Sequence, residues 1–111
     1  MRISELMYLY HATFREFLPS IRRHGLVSGR NKMWDDSKSC VYLASSPDVA
    51  ESYAEISPWI EENDLDYQIV VLRVAVSSLD LSLLRRDSNV QDGEDTFEYH
   101  GVIPWSQLTR V

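Results

Sequence analysis

The sequence predicts a single small α+β domain, and three observations carry that reading. Residues 67–77 form the strongest strand signal in the chain, apolar on both faces apart from Gln68 and Arg73, as expected of a central strand. Residues 40–53 read as a short buried strand turning straight into a helix. Phe14, Phe17, Leu18 and Ile21 recur at helical spacing. At 111 residues, 44% hydrophobic and 25% charged, the chain has the composition of one globular domain and no length for a second. A chain of this size buries roughly two-thirds of its unfolded surface, enough for a core without staples.

In chain order, residues 5–10 alternate loosely and close on Met7-Tyr8-Leu9-Tyr10-His11, a first strand that stops at His11-Ala12-Thr13. Thr13-Phe14-Arg15-Glu16 has the form of a capping box at the start of the first helix. Arg22 and Arg23 suit its negative end and Gly25 its termination. Pro19 removes a helical hydrogen bond, so the helix is either bent or restarts near Leu18. Residues 27–39 are polar and read as a long loop, with Trp34 as a plug over the core or a lid over a site.

Val41, Tyr42 and Leu43 suit a pleated, packed surface. Ser46-Pro47-Asp48 then starts a helix with a capping hydroxyl, a proline at the first helical position and a carboxylate facing the positive end of the dipole. This helix runs to about Glu55, with Val49, Ala50, Tyr53 and Ala54 on one face. Ser57-Pro58 interrupts it, and residues 61–66 form an acidic turn. Residues 79–87 are a leucine-rich connection into an acidic loop over 88–95. Residues 96–103 read as a strand with a glycine bulge or turn at Gly101, before a last short segment over 107–111.

The net charge of −6 repels phosphate backbones and anionic lipid, which makes a nucleic acid a poor partner unless a local basic patch offsets it. Arg22-Arg23 with Arg30 and Lys32, and the Arg85-Arg86 pair, are isolated enough to read as solvated faces. The single cysteine, Cys40, closes no internal disulfide, so a reducing cytoplasm is the expected compartment. Glu5 breaks the apolar run a signal peptide needs, and residues 69–76, interrupted by Arg73, fall far short of the roughly 20 apolar residues of a membrane span. No membrane association is expected.

His11, His24 and His100 are scattered without ligand spacing, so no metal site is expected. The glycines at 25, 29, 93 and 101 form no phosphate-cradling loop. Cys40, in an apolar strand, reads as inert packing. What remains are three strand positions, His11, Tyr42 and Glu98. Two accounts of Glu98 stand: a carboxylate facing water while Phe97 and Tyr99 face the core, or a buried one that needs a partner. Tyr42 and Tyr53 likewise read either as core aromatics with hydroxyls at the rim or as two walls of a site.

Together these positions resemble the ADP-ribosyltransferases of the histidine-tyrosine-glutamate type, the group that includes the poly(ADP-ribose) polymerases and many small bacterial and phage enzymes. The resemblance rests on His11-Ala12-Thr13 after a strand, on Val41-Tyr42-Leu43-Ala44 before a helix with Tyr53 eleven positions after Tyr42, and on an aromatic-flanked Glu98. It implies two small, mostly antiparallel sheets around an NAD cleft, with the helices outside. It implies that His11, Ala12, Thr13, Tyr42 and Tyr53 bind NAD as co-substrate. His11 would bond the adenosine-side ribose and the Ala12 backbone would pair with the nicotinamide carboxamide. The two tyrosines would sandwich the nicotinamide ring, and Glu98 would act on the 2′-hydroxyl of the nicotinamide-side ribose.

Three departures from the family pattern stand out. Ala12 replaces a glycine, Ala50 replaces a carboxamide-bonding serine, and Glu94 and Asp95 are rivals to Glu98. The expected activity is mono-ADP-ribosyl transfer to a protein or small-molecule acceptor, in a cytoplasmic protein that is either a toxin with a neutralising protein partner or a phage factor. The alternatives are an RNA 2′-phosphotransferase-like enzyme, which the acidic balance disfavours, and a non-catalytic NAD- or ADP-ribose-binding or protein-interaction domain.

Overall fold

The computed structural model describes residues 6–27, 41–55, 68–86 and 96–111. The expectations for Trp34, Cys40, the acidic turn over 61–66, and Glu94 and Asp95 lie outside those residues. The strands are β1 (Tyr8–Phe14), β2 (Val41–Ala44), β3 (Ile69–Ala75), β4 (Leu84–Arg86), β5 (Thr96–Tyr99) and β6 (Leu108–Arg110), with helices α1 (Leu18–His24) and α2 (Pro47–Glu55). This is an α+β arrangement in which the strands form one antiparallel six-stranded sheet, ordered β4-β5-β2-β1-β3-β6.

The sheet is held unevenly. β1 and β3 pair through seven registered positions, from Tyr8 opposite Ala75 to Phe14 opposite Ile69, and β2 and β5 through four. β1 and β2 share one, Tyr10 opposite Ala44. The hydrogen-bonded sheet is therefore single, where two sheets were expected, but it is made of two three-stranded leaves, β4-β5-β2 and β1-β3-β6, joined at one point.

Strand alternation sorts the core onto the two faces. On one face Leu9, Leu43, Leu72, Val74 and Phe97 pack with Leu18 and Ile21 of α1 and with Ile103. On the other, Ala12, Phe14, Ala44 and Val71 meet Ala50 and Ala54 of α2, so the helix rests on methyl groups and comes close to the sheet. Full burial of a side chain such as Leu9 or Phe14 contributes about 1.5–3 kcal/mol.

The start of α2 follows the sequence reading. The Ser46 hydroxyl accepts from the Val49 N–H at 3.2 Å, Pro47 is the first helical residue, and Asp48 lies in the first turn. At α1 the capping box does not form. Thr13 is a buried strand residue, β1 runs on to Phe14 because the β3 ladder holds it, and α1 begins at Leu18 after a 3₁₀ turn over Arg15–Phe17. With Pro19 in its first turn, where a missing N–H costs nothing, the helix restarts instead of bending. Gly25 ends it at φ 76°, and a Cβ there would collide with the Ile103 carbonyl, which bonds the Leu26 N–H at 2.8 Å.

Candidate active site

Backbone direction shows which groups the single join between the leaves leaves without a ladder partner among the described residues. The Met7 carbonyl and the Arg15 N–H both bond toward the β3 side, to the Val76 N–H and the Gln68 carbonyl at 2.9 and 3.0 Å. In an antiparallel ladder backbone groups alternate sides, so odd-numbered residues of β1 face β3, and Tyr10, Ala12 and Phe14 direct theirs toward β2. Continuing the register from Tyr10 opposite Ala44 would pair Ala12 with Tyr42, and the ladder does not make that pair. The Ala12 N–H and carbonyl thus face the gap between the leaves, side by side, one donor and one acceptor.

His11 spans this gap. Its Nδ1 lies 2.8 Å from the Tyr42 carbonyl oxygen, so the ring donates through Nδ1–H and keeps Nε2 as an acceptor in the neutral form. The ring is half-buried by surface area, yet enclosed enough that desolvation lowers its pKa below the ordinary 6.5, the bond to the Tyr42 carbonyl opposing the shift. Strand alternation starts His11 from the face of Leu9 and Thr13, opposite that of Ala12. It reaches Tyr42 through the gap and not across a shared face.

Tyr42 and Glu98 do share a face, opposite one another on β2 and β5. Because the Tyr42 carbonyl is turned to His11 on the β1 side, the pair is of the non-hydrogen-bonded type, in which the α-carbons approach to about 4.5 Å and the side chains lie closest. Glu98 is 4% exposed, between Phe97 and Tyr99 at 1% and 4%. The aromatics face the core as expected, but the carboxylate does not face water: Glu98 is buried in a strand paired on both sides, by β2 and β4. A carboxylate so placed needs partners to offset several kcal/mol of desolvation. Arg85 stands directly opposite on β4, and the His100 Nε2 lies 3.4 Å from Glu98 Oε1.

The remaining positions expected in the site are distributed as follows. Tyr53 is half-buried on α2, the helix that covers the face bearing Tyr42 and Glu98, one step around from the buried Ala50 and Ala54. Ala50 is buried among alanines and brings no hydroxyl. Thr13 is buried, 1% exposed, opposite Val70 on the face of α1. His100 was missed by the sequence reading as a site residue. Its signal was the spacing of two from Glu98 in an extended segment, which sets both side chains on one side.

Among the described residues no three of His, Cys, Asp and Glu are grouped to hold a metal ion, and no helix is long and apolar enough to cross a membrane. Compared with protein-family models and with curated proteins, the chain has no match.

Proposed function

We propose that this chain is an NAD-dependent mono-ADP-ribosyltransferase, with the gap between the two leaves of the sheet as its NAD cleft. The observation that carries the reading is the lapse of the β1–β2 ladder after Tyr10 and Ala44, which leaves the Ala12 backbone facing the same opening that His11 spans beside Tyr42. A primary carboxamide presents one acceptor and two donors in a plane, and a strand edge whose N–H and carbonyl have no ladder partner among the described residues is its complement. Loss of the glycine matters little there, since only the backbone is used.

In this reading His11 offers Nε2 to a ribose hydroxyl and stays neutral because it is desolvated. Tyr42 and Tyr53 hold the nicotinamide ring between them. Glu98, adjacent to Tyr42, accepts a hydrogen bond from the 2′-hydroxyl of the nicotinamide-side ribose. NAD supplies a glycosidic bond that breaks through an oxocarbenium-like state, so a carboxylate at the ribose stabilises charge that develops only during reaction.

A non-catalytic NAD or ADP-ribose binder is favoured by one observation, the absence at Ala50 of a hydroxyl to complete the carboxamide clamp. Incubation with labelled NAD and fractionated cell extract distinguishes the two. Nicotinamide release together with label on one fraction supports the transferase. Tight NAD binding without nicotinamide release supports the binder.

A further inference from the structure

We propose that His100 is the general base of the transfer, and that the acceptor is therefore a neutral hydroxyl: an alcohol, a sugar hydroxyl or water. The inference rests on the transferase reading of Glu98. His100 follows β5 directly, its backbone N–H bonded to the Leu83 carbonyl at 2.9 Å, which holds the residue in line with the strand. Its Nε2 faces Glu98 Oε1 at 3.4 Å, and its side chain is 35% exposed against 6% for Glu98. The imidazole is thus the solvent-side continuation of a buried carboxylate.

The two ring nitrogens lie on different edges of the imidazole, so with Nε2 beside Glu98 Oε1 it is the Nδ1 edge that turns away from the carboxylate, and in the neutral tautomer protonated at Nε2 that edge carries the lone pair an acceptor meets. Tyr42 on β2 and Arg85 on β4 both stand opposite Glu98.

This geometry divides the work between the two residues. Glu98 serves the ribose, and His100 takes the proton. As the acceptor oxygen forms its bond to C1′ of the ribose, the C1′–nitrogen bond breaks and its electron pair leaves with nicotinamide, which departs neutral. The acceptor proton moves to Nδ1 of His100, whose Nε2 edge lies beside the Glu98 carboxylate. A carboxylate acceptor needs no base, and both Glu98 and the net charge of −6 oppose it. A guanidinium, ionised to beyond pH 12, is too weak an acid for an imidazole to deprotonate. A hydroxyl fits both constraints.

The test follows nicotinamide release and product formation from NAD with water alone, with methanol and with agmatine as acceptors, for the wild type, His100→Ala and His100→Gln. We expect the wild type to yield ADP-ribose and methyl-ADP-ribose, both variants to be at least 10²-fold slower with NAD affinity within a few-fold, and free imidazole to restore His100→Ala. That rescue should strengthen across substituted imidazoles as their basicity rises, a dependence that a structural role would not produce. A wild type that turns over NAD while His100→Ala matches it, gains nothing from imidazole, or modifies agmatine in preference to methanol overturns this proposal alone. A wild type that releases no nicotinamide under any condition overturns the transferase reading and this proposal with it.

Discussion

The His11 imidazole donates from Nδ1 to the Tyr42 carbonyl at 2.8 Å, joining β1 to β2 just past the point where their backbone ladder stops. Burial lowers the pKa of this ring from 6.5, while the same residue in the unfolded chain titrates normally. Below pH 6.5 the unfolded state therefore binds a proton that the folded state does not, and folding stability falls with acidification until the lowered folded-state pKa is passed. Above pH 6.5 this contribution is flat. His11→Asn keeps a donor near Nδ1 and removes the titration. Melting temperatures from pH 7.5 to 5 should fall less in His11→Asn than in the wild type, and parallel curves would mean that other groups carry the pH dependence.

Which parts of this arrangement could be read from the sequence depends on how local the controlling interaction is. The start of α2 was legible because Ser46, Pro47 and Asp48 act within one turn. The end of α1 was legible for the same reason, since Gly25 occupies a conformation other residues avoid. β4 and β6 were not legible as strands, being three residues each and held by partners far away in the chain. Thr13 carried a capping signal that the β3 ladder overrode. The site divides similarly: the order His11, Tyr42, Glu98 was visible, but the burial of Glu98 depends on its flanking strands, and the opening at Ala12 depends on a ladder that fails to continue.

Glu98→Gln preserves shape and removes charge from the buried carboxylate. If Glu98 acts mainly on the reacting state, NAD affinity should stay within a few-fold while turnover falls by 10²-fold or more, about 3 kcal/mol of transition-state stabilisation. Single-turnover kinetics with NAD binding measured in parallel decide this. Unchanged turnover removes Glu98 from the chemistry.

Tyr42 and Tyr53 divide a nicotinamide site from ordinary packing. Each ring face against a bound aromatic contributes roughly 1 kcal/mol beyond burial, so Tyr42→Leu and Tyr53→Leu should each weaken NAD binding about five-fold or more, with little change in stability. Packing alone would instead cost on the order of 1–3 kcal/mol of folding stability and leave binding untouched. Thermal melts with and without NAD separate the outcomes.

Thr96 poses a different question, because its hydroxyl oxygen is buried with no hydrogen-bond partner among the described residues, in a residue 4% exposed at the start of β5. It stands opposite Ala44, which has no polar side-chain atom to offer. An unpaired buried hydroxyl costs about 1–3 kcal/mol of desolvation that nothing here returns. Thr96→Val replaces the hydroxyl by a methyl of similar volume and retains the β-branched shape that suits a strand. The variant should therefore be more stable by about 1 kcal/mol, visible as a higher urea midpoint with an unchanged slope. A lower midpoint would show that the hydroxyl is satisfied in solution, most simply by a buried water bonded to it, and that the valine methyl displaces that water at a net cost.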